Sequence, residues 1–300
     1  MENKPLVSVH IITYNQELTI AETISSVISQ NTNFSFEIVI GEDCSTDNTR
    51  LICEDFASKY ENINLLDSNE NLGLMGNFIR TFENCKGKYI ALLEGDDYWV
   101  DKGKLQKQID FLEKNQEYSV CHTNLNFLYV KENKQVINYQ RPIKSTASDI
   151  DLLFGNYTNT PTVVLRNVFN SKLPSDYRNF ICGDWALFIL HAQKGKVKYL
   201  PDVTATYRVH DSLWNADHRW KYRYDTIIQV LDYFSNDYTL KIKHKIWVRR
   251  FIVDIQRMKS SIKRLDLFYF LISFLSFSKI FMKLNFSFKK IIKYKNYNPW

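Results

Sequence analysis

Short apolar runs alternate with segments of helical spacing through the first 120 residues, and this alternation limits the fold more than any other feature. Apolar runs at residues 6–13, 36–41, 63–66 and 89–93 predict buried strands. Apolar positions recur with helical spacing at residues 17–30, between about 48 and 60, at 74–85 and at 104–114. Strands that alternate with helices imply right-handed crossovers. The sequence therefore predicts an α/β fold with a mostly parallel sheet flanked by helices.

Polar side chains follow three of these strands at the point where each strand ends. The three groups are Thr13-Tyr14-Asn15, Glu42-Asp43 and Glu94-Gly95-Asp96-Asp97. In parallel sheets, ligands bind beyond the carboxyl ends of the strands. We therefore expect the three groups to form one shared site.

The third group is strongly acidic, with Glu94, Asp96 and Asp97 close behind a buried strand. Carboxylates crowded in such a place repel one another and lose hydration, so a cation would stabilise them. Mg²⁺ and Mn²⁺ prefer oxygen ligands and often also bind substrate phosphates. The alternative is a turn of solvated acids after the strand.

Composition and charge bound the remaining possibilities. With 45% hydrophobic residues in 300, the chain can form a full core. Five cysteines without paired spacing argue against a disulfide framework or a thiolate zinc site and favour a reducing cytosol. The N-terminus is not a secretory signal. Residues 239–300 carry 15 Lys and Arg against 2 Asp and Glu, whereas the preceding part is acidic overall. The two parts are therefore expected to contact different partners.

The pattern changes from about residue 124. We expect an irregular hairpin at 130–140, a short helix at 149–154 and a strand at 160–166. A helix follows at 185–194, ended by Gly195, and two strands follow at 197–200 and 203–209. Helices are predicted for the rest of the chain.

Several motifs together resemble glycosyltransferase family 2, over residues 5–210 and in matching order and spacing. They are Ser8-Val-His-Ile-Ile-Thr-Tyr-Asn15, Glu42-Asp-Cys-Ser-Thr-Asp-Asn48, Asn71-Leu-Gly73, Glu94-Gly-Asp-Asp-Tyr-Trp99 and Gly183-Asp-Trp185. The resemblance implies the GT-A fold, a nucleotide-diphospho-sugar donor and inversion at the anomeric carbon. It also implies a transferase domain at residues 1–212, with a nucleotide-sugar half at 1–123 and an acceptor half at 124–212. A helical extension would occupy 213–300.

By this resemblance, residues after the first, second and fourth strands bind the donor. A carboxylate such as that of Asp43 accepts the imide N–H of uracil, and the Tyr14 ring can stack on a base. Turn chemistry before a helix is the alternative for Asp43, and Asp47 is expected to cap that helix. The implied donor site comprises Thr13, Tyr14, Asn15, Glu42, Asp43, Asn71, Gly73, Glu94, Gly95 and Asp96.

The segment Glu94-Gly95-Asp96 matches the metal motif of the family, with Glu in place of the first Asp. Asp96 is the expected principal ligand of Mn²⁺ or Mg²⁺, with Asp97 beside it. Glu94 could ligate the ion, contact ribose or act through water. His210 matches a family histidine near the metal or diphosphate, and a structural histidine is the alternative. Arg208 could pair with phosphate or with a structural acid.

Asp184 matches the general base of the family, which takes the proton of the acceptor hydroxyl. A helix N-cap is the structural alternative, since Asp precedes the predicted helix. Trp185 and Trp99 could be platforms for the acceptor sugar, and a place in the core is the alternative for Trp185.

The C-terminal tail combines apolar and basic residues. The run at 265–277 is too short for a bilayer span, which needs about 20 residues. Basic and aromatic residues interleave beyond it, as in helices that lie on anionic membranes. A helix pair packed on the body is the alternative. Nucleic-acid binding lacks a supporting motif.

The favoured hypothesis is a metal-dependent inverting glycosyltransferase on the inner face of the cell membrane. It would use a UDP-sugar and extend a glycan or lipid-linked acceptor in cell-surface polysaccharide synthesis. A sugar nucleotidyltransferase would need a glycine-rich basic loop after the first strand, and a dehydrogenase a GxGxxG motif; the sequence has neither. A degenerate scaffold that binds membranes is the non-enzymatic alternative.

Overall fold

The computed structural model describes residues 4–139, 143–210 and 220–283. The chain forms two compact units. The first comprises Met1–Leu152 and Tyr157–His210, and the second Leu153–Asn156 and Asp211–Trp300. The predicted domain boundary after residue 212 lies outside the described residues.

The first unit contains a sheet of ten strands in the described part of the chain, with the main order β3-β2-β1-β4-β9-β6-β10-β5. The strands are β1 Val7–Thr13, β2 Phe36–Glu42, β3 Ile63–Leu65, β4 Tyr89–Glu94, β5 Tyr98–Trp99, β6 Tyr118–Tyr129, β7 Lys134–Val136, β8 Thr146–Ala147, β9 Val164–Arg166 and β10 Lys196–Val209. The helices are α1 Ile20–Ile28, α2 Thr49–Lys59, α3 Gly73–Glu83, α4 Lys104–Lys114, α5 Asp149–Phe154 and α6 Gly183–Ala192.

The parallel part of the sheet brings three strand ends to one level. β1 pairs in parallel with both β2 and β4, and β2 pairs in parallel with β3. Ile12 lies opposite Glu94, and Thr13 lies opposite Glu42. Every residue of β1 is buried, because helices cover both faces of this central strand. The predicted convergence of the polar groups at one sheet edge is therefore observed.

The other part of the sheet is mixed. β9 runs antiparallel between β4 and β6, whereas β6 and β10 are parallel. The two strands predicted between 197 and 209 form one strand, β10, whose pairing register shifts between Tyr199 and Val203. The strand predicted at 160–166 begins only at Val164, because a 3-10 turn at Thr160–Thr162 contains Pro161. The predicted division between residues 123 and 124 falls inside β6.

The second unit contains three helices among the described residues: α7 Trp220–Phe234, α8 Leu240–Lys263 and α9 Leu267–Lys283. Val248, Phe251 and Ile280 form the apolar contact between α8 and α9. Asp254 is fully buried and pairs with Arg250 and Arg257 one helical turn to either side. None of the described helices has the length and hydropathy that crossing a bilayer requires.

Candidate active site

The turn after β4 packs directly against the end of β1. The Gly95 N–H donates to the Ile12 carbonyl at 2.9 Å. A Cβ on Gly95 would lie 2.6 Å from the Thr13 hydroxyl, so only glycine allows this approach. Thr13 also accepts the backbone N–H of Asp43, at 3.1 Å. The three predicted polar groups therefore contact one another through Thr13.

The carboxylates of Glu94, Asp96 and Asp97 form the acidic cluster. Their nearest ligand oxygens all lie within 4.8 Å of one another. Asp97 is 1% exposed; its Oδ1 accepts the Arg208 N–H at 2.8 Å, whereas its Oδ2 has no hydrogen-bond partner. A buried carboxylate oxygen without a donor is costly, and a bound cation would satisfy it. The all-oxygen donor set therefore fits a hard divalent ion such as Mg²⁺ or Mn²⁺.

Burial of these carboxylates and the repulsion between them favour their protonated forms. Burial, with the neighbouring charges of Asp96 and Asp184, raises the pKa of Glu94 from 4.5 to about 8. Burial and the same kind of repulsion raise the pKa of Asp97 well above its ordinary value. Since a carboxylate must be ionised to ligate a metal, metal affinity should rise with pH across this range.

The substitution Glu94→Gln should stabilise the metal-free protein at pH 8. The pKa of Glu94 is about 8 in the folded state, so folded chains hold a proton that unfolded chains lose above about pH 4.5. Stability therefore falls as pH rises through this window, and Gln removes that loss. One pKa unit is about 1.4 kcal/mol, and about 1 kcal/mol moves Tm by about 2–4 °C. The shift from 4.5 to about 8 amounts to about 4 kcal/mol at pH 8. We therefore expect Tm to rise by about 10 °C at pH 8 and little at pH 5.

Calorimetric melting with a chelator present measures this effect. Glu83→Gln, at an exposed position of α3, is the matched control and should change Tm equally at both pH values. A lower Tm for Glu94→Gln than for the unmodified protein at pH 8 would contradict the conclusion that ionisation of Glu94 destabilises the folded state.

Arg208 and His210, at the end of β10 and just beyond it, hold the acidic turn. The Arg208 guanidinium donates to the Asp96 carbonyl at 2.6 Å and pairs with Glu22 of α1. The sequence left either a phosphate or a structural acid as the partner of Arg208, and the structure shows the acid, Glu22. His210 Nε2 donates to Asp96 Oδ2. The structure thus places His210 beside the cluster, in contact with the expected principal ligand.

Asp184 lies in the first turn of α6, and not at its N-cap. The helix begins at Gly183, two residues earlier than predicted, with Cys182 at the N-cap. Asp184 Oδ1 accepts the Cys182 thiol at 3.1 Å and the Trp185 N–H at 2.6 Å. Burial raises the pKa of Asp184, opposed by these two hydrogen bonds. The other oxygen accepts no hydrogen bond from the described residues, so it is available as a base.

One small cavity connects this aspartate to the acidic cluster. It has a volume of about 60 Å³, and Glu94 and Asp184 both line it. Leu74, Met75 and Phe78 of α3 form an apolar wall of the cavity, and His10 of β1 also lines it. Burial lowers the pKa of His10 to about 4, so this imidazole is neutral. Residues from β4 and α6 that are 90 positions apart therefore share a single pocket.

The residues predicted to hold the nucleoside divide into two groups. Asp43 is 3% exposed; its Oδ1 accepts the Leu72 N–H and its carbonyl accepts the Asn71 amide. Tyr14 is 47% exposed, with its ring open to a ligand. Asn71 also accepts the N–H of Gly73, whose φ of +71° favours glycine. Asp43, Asn71 and Gly73 are therefore linked by hydrogen bonds.

Asn15 and Glu42 instead stabilise the loop after β2. The Asn15 Oδ1 accepts the Thr46 N–H, and Glu42, which is 1% exposed, accepts the Ser45 N–H at 2.6 Å. Asp47 accepts the Thr49 N–H at the start of α2, but it lies one position before the N-cap, which is Asn48 and not the predicted Asp47. Asn15 and Glu42 thus shape the site through the loop that carries Asp43.

Both candidate acceptor tryptophans lie in the core, each 4% exposed. The Trp99 indole donates to the Pro161 carbonyl, and the Trp185 indole to the Leu152 carbonyl. A buried, hydrogen-bonded indole has no free face for a sugar. We therefore place neither residue in the acceptor site.

Three residues that contact this site carry no sequence signal. Thr19, the N-cap of α1, donates to the Gly95 carbonyl, and the Thr23 hydroxyl of α1 lies within hydrogen-bond distance of the carbonyls of Gly95 and Asp97. The Cys182 thiol donates to Asp184. Threonine in a helix and an isolated cysteine are ordinary features, so only the three-dimensional contacts reveal these roles.

Known proteins give an independent comparison. The sequence model described as "Glycosyl transferase family 2" matches residues 8–170, more than half of the chain. An uncharacterized protein of Mycobacterium tuberculosis is 32% identical over 216 residues, 70% of this chain; the chain spans only 60% of that relative. The Escherichia coli UDP-Glc:alpha-D-GlcNAc-diphosphoundecaprenol beta-1,3-glucosyltransferase WfgD is 35% identical over 133 residues, 44% of this chain and 47% of its own length.

A solved structure shows the same fold. The mannosyltransferase PcManGT of Pyrobaculum calidifontis, determined with GDP-Man and Mn²⁺, superposes with a TM-score of 0.57 at 15% identity. The match covers 83% of this chain and 72% of the other. It confirms the predicted α/β GT-A architecture.

Proposed function

Because the chain belongs to glycosyltransferase family 2, we propose that it moves a sugar from a nucleotide-diphospho-sugar to an acceptor hydroxyl with inversion. One observation carries this proposal: Glu94 of the acidic cluster and Asp184 line one pocket at the carboxyl ends of the parallel strands. This is where α/β sheets bind ligands. Glu94 thereby joins a proposed cation site to a proposed base, which are the two parts that the reaction needs.

Glu94, Asp96 and Asp97 would hold a divalent ion, Mn²⁺ or Mg²⁺. The orphaned Asp97 oxygen and the protonation of the cluster both support this assignment. A bound ion would neutralise the diphosphate and make it a better leaving group. PcManGT, of the same fold, was solved with Mn²⁺. His210 would orient Asp96 through their hydrogen bond.

Asp43, Asn71, Gly73 and the Tyr14 ring would bind the nucleoside, with Thr13 between them and the acidic turn. A UDP-sugar is the proposed donor. The related Escherichia coli enzyme is named for UDP-Glc, and a carboxylate at Asp43 suits the imide N–H of uracil.

Asp184 would remove the proton of the acceptor hydroxyl as that oxygen attacks the anomeric carbon. Oδ1 is held by the Cys182 thiol and the Trp185 N–H, which fixes the carboxylate and directs Oδ2 for proton transfer. The raised pKa makes Asp184 a stronger base than an exposed aspartate. Apolar side chains of α3 exclude water from this part of the pocket.

The acceptor would be a glycan or a lipid-linked saccharide in cell-surface polysaccharide synthesis, and the enzyme would act at the cytoplasmic side of the membrane. Leu267, Phe268, Leu271 and Leu275 of α9 are more than half exposed. An apolar helix face flanked by Lys263 and Lys279 suits the interface of an anionic bilayer. The interleaved basic and aromatic residues predicted to add to this surface, at 284–295, lie outside the described residues.

A hydrolysis screen tests the proposed activity. Nucleotide-sugars incubated with the protein and Mn²⁺ should release nucleoside diphosphate, fastest with one UDP-sugar, and a chelator should stop the release. Release from no donor would favour the alternative of a degenerate scaffold that only binds membranes, whereas release that the chelator does not stop would contradict the proposed role of the metal.

A further inference from the structure

The second unit contains a large groove that the proposed chemistry does not use. It lies along α7 and α8 and has a volume of about 520 Å³, the size of a site for a small organic ligand. Trp220, Arg223 and Tyr224 of α7 line one side, and Lys259 lines the other, with Arg264 just beyond α8. None of the described residues that line it is acidic.

Two of the cations in this groove lack an acidic partner among the described residues. Arg223 and Lys259 have no ion pair with the described residues. The buried arginines of the same unit behave differently, since Arg250 pairs with Asp232 and Asp254, and Arg257 with Asp225. Arg223 and Lys259 line the same groove, so both would attract an anion bound there. The groove therefore fits a ligand with more than one negative charge.

Aromatic and apolar groups border these cations. The Arg264 guanidinium lies 5.3 Å above the Trp220 ring, and the same ring contacts Tyr269 in the first turn of α9, at 5.2 Å. That turn begins the exposed apolar face, where Leu267 is 81% and Phe268 75% exposed. A charged groove that continues into an apolar surface suits an amphipathic molecule, with an anionic head and a hydrocarbon chain.

We propose that this groove binds the diphosphate head of a lipid, with the lipid chain along the exposed face of α9. Two phosphates match the uncompensated cations, and the groove is far larger than a single phosphate requires. Nucleic acid fits less well, because the groove continues into an exposed apolar surface that includes Leu267 and Phe268. The inference rests on the proposed lipid-linked acceptor, and it assigns recognition of that acceptor to side chains of the second unit.

Binding of the full-length protein to vesicles tests the inference. Phosphatidylcholine vesicles would carry a long-chain isoprenyl diphosphate, the uncharged isoprenol, or phosphatidylglycerol at equal negative charge. We expect the diphosphate vesicles to bind most tightly. Arg223→Gln and Lys259→Gln should each weaken that binding about tenfold, as for the loss of one charge-assisted hydrogen bond. Lys245→Gln, at an exposed position of α8, is the matched control for Lys259→Gln and should bind the vesicles as the unmodified protein does.

Three outcomes would overturn the inference: equal binding to phosphatidylglycerol vesicles, unchanged binding in both groove variants, or an equal loss in Lys245→Gln. The first and third would indicate a diffuse basic surface, to which residues 284–300 could contribute. The groove variants should still release nucleoside diphosphate from the nucleotide-sugar donor, and Asp96→Asn should still bind the isoprenyl diphosphate vesicles. A result against lipid binding in the groove can therefore be distinguished from a result against the proposed catalysis.

Discussion

Replacing Asp96 with asparagine should reduce sugar transfer about 1,000-fold. Asp96 lies in the turn that Arg208 holds and contacts His210, so its replacement would remove the proposed principal ion ligand. Stabilisation of a leaving diphosphate by a bound ion is worth several kcal/mol, and each 1.36 kcal/mol is tenfold in rate. Release of nucleoside diphosphate under saturating donor and Mn²⁺ measures the effect.

The control for this variant is Asp110→Asn, at an exposed position of α4. It makes the same chemical change on the same sheet unit and should keep full activity. A circular-dichroism melt should show Asp96→Asn folded, since the substitution relieves repulsion in the acidic cluster. Full activity of folded Asp96→Asn would contradict the role of this carboxylate.

Replacing Asp184 with asparagine should lower the rate of transfer about 10²- to 10⁴-fold, the range for loss of a general base. Asparagine retains an oxygen for the Trp185 N–H and the Cys182 thiol, so the start of α6 should remain intact. It has no basic oxygen for the acceptor proton. Single-turnover transfer to an acceptor measures the step, whereas donor binding should change little.

A pH profile separates the base from a purely structural residue. Burial raises the pKa of Asp184, so the acidic limb of kcat/KM should lie above the ordinary range of a carboxylate. Asp184→Asn should lose that limb as well as rate, and Asp184→Ala should match it in rate while melting at a lower temperature. An asparagine variant that keeps both rate and acidic limb would assign Asp184 to structure alone.

Local sequence patterns were sufficient for the elements around the parallel strands. α4 and α5 have the bounds that apolar spacing predicts, because periodicity and flanking residues act within each segment. The convergence of Thr13, Glu42 and Glu94 followed from parallel topology, since strand ends that follow buried runs meet at one edge.

Contacts between distant segments were beyond the reach of these patterns. β5 has two residues, and its existence depends on Ala205 and Thr206 of β10, more than 100 positions away. The direction of β9 depends on its two neighbours in the sheet. The meeting of Asp184 with Glu94 depends on how α6 packs, and spacing does not encode it; the family resemblance predicted it instead. The burial of Trp99 also depends on packing between distant segments, because an aromatic residue after a turn can lie at the surface or in the core.

Titration calorimetry of UDP with and without Mn²⁺ tests the central claim most directly, namely that the crowded carboxylates of β4 and its turn hold a cation together with a diphosphate. The unmodified protein should bind UDP at least tenfold more tightly with Mn²⁺, and Asp96→Asn should lose that gain while keeping the metal-free affinity. UDP affinity that Mn²⁺ leaves unchanged in the unmodified protein would contradict the account.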